Sequence, residues 1–453
     1  MPRIGESYRF PDGFVWGVAA AAPQIEGAAA VDGKSPSIWD TFATVPGKIK
    51  QGDTPAVACD HYHRFAADAK LLRELGIAHY RLSIAWPRVV PDGDGAIHSK
   101  GLDFYERLID AFLAEGVTPW VTLFHWDLPQ RLEDRGGWPV RATAEAFGRY
   151  AEAVVKRLGD RVTRWFTLNE IPCIVGNGYE NGYFAPGRRE SPKVVNQAYH
   201  HALLAHGYGV EAVREFGGPQ AVVGLVHNHL PAPPIPFTET EADIEAARSE
   251  YERTNRQLMG PLFLGHYPEA FLKAAGVDAP ELAPGDLETI SRPTDFLGLN
   301  IYSGDFVRVG RDGVPERLPF PKQFPQGDLW WLNVTPQSLY WGVRLASEVF
   351  GVKAFHLTES GACFADAFTP EGEILDLDRR EYLRNYLIEV HRAISEGFDV
   401  RGYFLWSFLD NFEWAEGYEK RFGIVHVDFE TQIRTPKASA RWYSEVIRHN
   451  RIV

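Results

Sequence analysis

The sequence predicts an α/β protein folded as one (β/α)8 barrel with long βα-loop insertions, a single domain over residues 1–453. Three observations carry this reading. Short, mostly apolar runs alternate with helix-like segments along the whole chain, and no compositional break, low-complexity run or solenoid-type repeat divides it. Apolar runs separated by helices are the mark of a parallel sheet covered on its faces. The first run leads into Ala20-Ala21-Ala22-Pro23-Gln24-Ile25-Glu26-Gly27, which lacks the Gly-rich phosphate turn that follows the first strand of an open doubly wound sheet. A barrel needs about 250 residues and exceeds 400 when its loops grow, so the surplus belongs in the βα loops.

The strands are expected at 14–20, 79–85, 118–124, 165–168, 222–226, 296–301, 354–358 and 402–406. The stretch 65–75 reads as a helix because Phe65, Ala69, Leu72 and Leu75 share one face. The stretch 105–113 repeats the pattern with Leu108, Ile109 and Phe112. Gly76 and Gly116 stand just beyond these two helices, where a residue in left-handed conformation ends a helix.

Composition narrows the function classes. Hydrophobic residues at 45% and charged residues at 24% supply an ordinary globular core and surface. A net charge of −13 argues against nucleic acid or an anionic membrane as partner, since both require a basic face. No stretch approaches the roughly 20 apolar residues of a membrane span. The start, Met1-Pro2-Arg3-Ile4-Gly5-Glu6, lacks the apolar core of a secretory signal. Cys59, Cys173 and Cys363 share no metal-ligand spacing. The expectation is a soluble cytoplasmic protein without structural disulfides.

The chemically active residues fall at the C-terminal ends of the expected strands. Gln24 follows the first, Arg81 lies in the second, and His125, Trp126 and Asp127 end the third. Asn169 and Glu170 end the fourth, Asn300 and Tyr302 close the sixth, and Glu359 ends the seventh. The eighth runs into the segment from Trp406 to Trp414, which includes Glu413. A barrel gathers these ends at one mouth. Taken singly, Glu170 reads as a helix N-terminal charge, Glu359 as a solvated loop residue, His125 as a satisfied core histidine and Asn169 as a helix cap. Taken together they form a set of carboxylates, amides, imidazole and indole. Two carboxylates facing each other across a sugar ring are the minimum equipment for cutting a glycosidic bond. Thirteen tryptophans, several beside polar residues at strand ends, fit flat sugar-binding faces as well as core filling.

Two rival readings are weaker. His61, His63, His200, His201 and His206 include a His-x-His pattern, but no carboxylate-rich partner set accompanies it at the strand ends, so neither metal nor cofactor is expected. A sugar-binding barrel that had lost catalysis would have lost one of the two glutamates. Both remain.

Long motifs then identify a relative. Phe14-Val15-Trp16-Gly17-Val18-Ala19, Gln24-Ile25-Glu26-Gly27, the run from Tyr80 to Arg88, Leu123-Phe124-His125-Trp126-Asp127-Leu128-Pro129 and the run from Trp406 to Gly417 closely resemble glycoside hydrolase family 1, the β-glucosidase family. The resemblance extends from Phe10 to Tyr443. It implies a retaining β-glycosidase, most simply a β-glucosidase with some β-galactosidase and β-fucosidase activity, acting on the terminal non-reducing residue of small β-glycosides. It implies Glu170 as general acid/base and Glu359 as nucleophile, with carboxyl groups about 5–5.5 Å apart and a bell-shaped pH–rate profile. Gln24, His125, Trp126, Asn169, Glu413 and Trp414 would bind the sugar, and Trp406 would form the floor. Tyr302 and Arg81 would hold Glu359, Trp331 would flank the leaving group, and Asn300 and Phe422 would support the site. The resemblance also implies a cis bond between Trp406 and Ser407, a role in cellulose degradation and a monomer or homo-oligomer. Ile171 stands where the family has proline, Ser360 where it has asparagine, and Pro336-Gln337-Ser338 where it has Pro-Glu-Gly. These departures admit a specialised aglycone or a transglycosylating enzyme.

Overall fold

The computed structural model describes residues 8–453; the N-terminal segment from which the absence of a secretory signal was read lies outside the described residues. Eight parallel strands close into a barrel: β1 (Val15–Ala19), β2 (His79–Ser83), β3 (Thr118–Phe124), β4 (Arg164–Asn169), β5 (Val222–Asn228), β6 (Phe296–Asn300), β7 (Ala354–Ser360) and β8 (Asp399–Trp406). Closure is direct, because β1 pairs with β2 on one side and with β8 on the other. The principal helices between and after them are α1 (His61–Glu74), α2 (Ser99–Ala114), α3 (Arg141–Leu158), α4 (Pro192–Phe216), α5 (Glu241–Met259), α6 (Gln337–Phe350), α7 (Leu377–Ser395) and α8 (Ala438–His449). α2 buries Leu108, Ile109 and Phe112 as its periodicity predicts, but it begins at Ser99, because Leu102 and Phe104 already face the core. Gly76 and Gly116 take φ of 69° and 74°, the left-handed conformation expected of them.

Several strand ends differ from expectation, and two of the strands extend onto candidate residues. β7 runs two residues past 358, because Glu359 pairs with Asn300 and Ser360 with Leu405 across register shifts. β4 includes Asn169, paired with Val226 after a similar shift. Such irregularities re-aim side chains without breaking the sheet. The candidate nucleophile therefore projects from a strand bonded on both sides, a firmer mount than a loop.

The surplus chain lies largely in the loops at the barrel mouth. Three short strands, Pro234–Pro236, Asp305–Val309 and Pro315–Arg317, make a small sheet from the loops after β5 and β6. A hairpin, Val425–Val427 with Arg434–Pro436, follows β8. Three-residue strands containing proline have no readable periodicity, so sequence reasoning passed over them. Inside the barrel, rings of Trp120, Phe166, Phe296, His356 and Phe404 pack with centroids 4.9–6.4 Å apart. The Arg81 guanidinium lies 5.3 Å from the Phe166 ring, so the mouth rests on an apolar plug.

Candidate active site

Glu359 is clamped at both oxygens. Arg81, on β2 and only 1% exposed, donates from Nη1 to Glu359 Oε1 at 2.5 Å and from Nη2 to Asn169 Oδ1 at 2.6 Å. Tyr302, just after β6, donates its hydroxyl to Glu359 Oε2 at 2.6 Å. Burial, followed by the charges of Glu359 and Glu170, pushes the Tyr302 phenol well above its ordinary range, so it remains a neutral donor. Its carbonyl in turn accepts from the hydroxyls of Tyr382 and Tyr386 on α7, at 2.8 and 2.7 Å.

Glu170 lies in the first position after β4 with φ of 55°, a left-handed conformation that costs a non-glycine residue about 1–3 kcal/mol. Its N–H is tied to Val226 O at 2.9 Å, which holds this geometry in place. Asn300 Nδ2 donates to Glu170 Oε1 at 2.7 Å and lies 3.1 Å from Asn169 Oδ1, while its own Oδ1 accepts from Thr358 at 2.7 Å. One network thus joins the two glutamates through Asn300, Asn169 and Arg81. Burial first, and then the negative charge of Glu359, push the Glu170 carboxyl well above the usual carboxylate range. Hydrogen bonds from Asn300 and the Cys173 thiol oppose that rise without cancelling it. The pair can therefore present a proton on one carboxyl while the other accepts from a guanidinium and a phenol.

The surrounding wall is amide, imidazole and indole. Asn169 Nδ2 lies 3.0 Å from His125 Nε2, and Trp126 Nε1 donates to Asn169 O at 3.0 Å. The His125 ring stacks near Trp406 and Trp414, with centroids 6.0 and 6.1 Å away. Trp126 and Trp414 take φ of 75° and 49°, so three site residues, counting Glu170, share a conformation that bulky side chains rarely adopt. Gln24 Nε2 donates to Asn411 Oδ1 and Phe412 O at 3.0 and 2.8 Å and reaches Glu413 Oε2 at 3.5 Å. Burial, then the charge of Glu359, push Glu413 up to about 8. Trp331 and Phe422 both meet the Tyr302 ring edge-on, 5.8 and 6.0 Å away. The Trp406–Ser407 bond is cis. Gln24 Oε1, His125 Nδ1 and Asn228 Oδ1 are buried and have no hydrogen-bond partner among the described residues. Such atoms are costly unless something polar meets them.

Every sequence-predicted site residue thus lies at this mouth. Asp127, singled out beside them, turns away: both its oxygens are buried without partners in a small cavity lined by Glu26, Lys34 and Asp40. Sequence reasoning missed Trp39, which backs the wall 4.5 Å from Trp414, and Cys173, three residues beyond Glu170. The spacing of one helical turn after Glu170 was the available signal for Cys173. The histidines of the metal reading are spent elsewhere. His61 pairs with Asp68 at 2.7 Å, His63 with Asp60 at 2.6 Å, and His200 with Asp286 at 2.9 Å. His201 meets Trp138 O at 3.1 Å and His206 the Thr167 hydroxyl at 2.7 Å. Among the described residues, no group of three His, Cys, Asp or Glu side chains is placed to hold a metal ion, and no helix is long and apolar enough to cross a membrane.

A closed parallel barrel whose mouth opposes two carboxyl groups within an indole-rich wall defines a barrel glycosidase. The sequence model of glycosyl hydrolase family 1 matches residues 6–452. The chain belongs to glycosyl hydrolase family 1. It is 43% identical over 446 residues to beta-glucosidase A of Thermotoga maritima, covering 98% of each chain. It is 45% identical to thermostable beta-glucosidase B of Thermobispora bispora, covering 97% of this chain and 91% of that one. A solved structure of the T. maritima beta-glucosidase in complex with glucoimidazole superposes with a TM-score of 0.90 at 41% identity, covering 98% of this chain and 99% of that one.

Proposed function

We propose that the protein is a retaining β-glucosidase that removes the terminal non-reducing β-D-glucosyl residue from small β-glycosides, with Glu359 as nucleophile and Glu170 as acid/base. The observation that carries the assignment is the asymmetry of the pair: Glu359 is held by Arg81 and Tyr302, whereas burial and the neighbouring charge favour a proton on Glu170. Glu359 attacks the anomeric carbon while the Glu170 proton passes to the departing oxygen, and the glycosidic bond breaks. Glu170, now ionised, takes a proton from water, whose oxygen displaces Glu359 and restores the β configuration. Because Asn169 and Arg81 share a hydrogen bond beside the nucleophile, a sugar hydroxyl meeting Asn169 is aligned with the reacting carbon.

Specificity follows from the wall. The unpartnered Gln24 Oε1 and His125 Nδ1 supply an acceptor and a nitrogen for sugar hydroxyls, and Glu413 adds a further acceptor. A sugar 6-phosphate would meet the carboxyl groups of Glu413 and Glu416, with Lys50 already paired to Glu416, so an unphosphorylated hexose is the substrate. The relative named 1,4-beta-D-glucan glucohydrolase, from Thermotoga neapolitana, supports cello-oligosaccharides as natural substrates and a part in cellulose breakdown. Three unpaired cysteines suit the reducing cytoplasm. Ile171 is 1% exposed and packs into the core, so that departure from the family does not itself alter the sugar wall.

The test is Glu359→Ala with an activated aryl β-glucoside. Turnover should fall by about 10⁴-fold or more, and added azide should restore it with an α-glucosyl azide as product. A β-azide, or no rescue, would overturn the nucleophile assignment.

A further inference from the structure

The end of the barrel opposite the mouth holds a second cavity, of about 580 Å³, lined at the strand starts by His79, Trp120, Arg164, Phe296 and His356. None of the sequence-predicted site residues borders it. Arg164 opens β4, and its Nη1 donates only to neutral oxygens, Thr163 O at 3.2 Å, Gln220 O at 3.3 Å and Thr163 Oγ1 at 3.4 Å. Acids are not scarce, since Asp and Glu outnumber Lys and Arg by 60 to 47. The carboxyl groups that border the cavity are instead taken by other arginines: Asp12 by Arg9 at 3.1 Å, Asp295 by Arg214 at 2.9 Å and Asp399 by Arg401 at 2.7 Å. Arg164 is thus the surplus charge of this cavity.

Two imidazoles line the same space. The Trp120 indole N–H can only donate, and it meets His79 Nδ1 at 3.2 Å, so the His79 proton sits on Nε2. His356 is 4% exposed, and its Nδ1 is sealed without a partner among the described residues. A sealed, orphaned N–H is rarer than a sealed acceptor, so this proton also belongs on Nε2. Gly402 makes room for the ring, because a Cβ there would stand 2.8 Å from His356 Nδ1. Burial, then the charge of Arg164, push His79 down to about 4. Burial, then the charges of Arg401 and Arg164, push His356 down to about 3, so both rings are neutral donors near pH 7. A surplus guanidinium beside two imidazole N–H groups is a donor set that lacks an acceptor, and a guanidinium fork matches carboxylate and phosphate oxygens. We propose that this cavity binds the phosphate or carboxylate group of a small metabolite, held by Arg164, His79 and His356 against the Trp120 and Phe296 rings. The aromatic wall and the volume admit more than a bare anion. The site is independent of the glycosidase assignment at the mouth.

The experiment is a calorimetric titration of the whole protein with inorganic phosphate, and separately with acetate, at constant ionic strength. Wild type should bind at least one of the two saturably, at one site per chain. Arg164→Met should weaken that binding by about 10-fold or more, and His356→Leu by about 3–10-fold. Both variants should turn over an aryl β-glucoside as wild type does, which shows that they are folded. Tighter binding of phosphate supports a phosphorylated ligand, and tighter binding of acetate supports a carboxylic acid. No saturable binding of either anion to wild type, or undiminished binding in Arg164→Met, would overturn the proposal. If Arg164→Met fails to fold, His356→Leu decides it alone, and binding equal to wild type in that variant overturns it.

Discussion

Two buried charge clusters in this molecule have opposite balances. Behind the mouth, Arg379, Lys437 and Arg421 meet Asp366, Asp376 and Asp410, with Lys437 Nζ 2.5 Å from Asp366 and 2.8 Å from Asp410, and Arg421 Nη1 2.9 Å from Asp410. Three cations face three anions. Burial pushes Asp366 up, yet the charges of Arg379 and Lys437 hold it below its usual range. At the mouth, the Arg81 guanidinium bonds Glu359 and its charge opposes the rise of Glu170, while Glu413 is pushed up by burial and by the neighbouring carboxyl groups of Glu359, Glu416 and Glu170. Balanced charges ionise and cement the structure. Unbalanced ones cannot all ionise, and the surplus adds to burial in keeping a proton on Glu170. Ion pairing therefore serves stability in one cluster and reactivity in the other.

The largest expected effects come from removing the central cation of each cluster. Arg379→Met leaves buried Asp376 without a cation and Asp366 with Lys437 alone, and should cost about 3–5 kcal/mol of stability, read as a lowered denaturation midpoint, with the kcat of the folded fraction little changed. Arg81→Met should do the reverse where it matters. It removes the donor to both Glu359 and Asn169, and kcat/KM should fall by about 10²–10³-fold. Equal loss of activity per folded molecule in both variants would erase the contrast.

Next in size is Glu170→Gln. Activity on cellobiose should drop by about 10²-fold, and the alkaline limb should disappear, because that limb is the loss of the Glu170 proton. A dinitrophenyl β-glucoside should lose less in its first step and accumulate the glycosyl-enzyme, seen as a burst of dinitrophenol.

Much of the mouth was legible in the sequence, and the reasons are physical. Glu170, Glu359, Asn169, His125 and Arg81 are polar residues next to apolar strands, and a barrel sends the ends of those strands to one place. The exact reach of β7 was not legible, because Glu359-Ser360-Gly361 has the composition of a loop, and only pairing with Asn300 and Leu405 keeps it in the sheet. The left-handed backbone at Trp126, Glu170 and Trp414 was also hidden, since nothing in a tryptophan or glutamate side chain announces it. Trp39 and Cys173 escaped notice for different reasons. Trp39 matters through its contact with Trp414, and contact across the fold leaves no local pattern, whereas Cys173 stands one helical turn after Glu170, a spacing that by itself singles out no residue. The balanced cluster of Arg379 and Lys437 was invisible for the same reason as Trp39.

The smallest predicted effect is on stability and tests the charge argument most directly. A carboxyl whose pKa is raised in the folded state binds its proton more tightly there than in the unfolded chain. The folded protein therefore loses stability as pH rises from the ordinary carboxylate range, about 4.3, through the raised value of Glu170. Glu170→Gln removes the titrating group but keeps an amide for Asn300 to meet. At neutral pH it should be more stable than wild type by about 1 kcal/mol, with the gain shrinking toward pH 4. Paired denaturant titrations across that range would show it. A glutamine variant less stable than wild type at pH 7 would mean that Arg81 neutralises the mouth after all, and that the carboxylate surplus does not help to hold the proton.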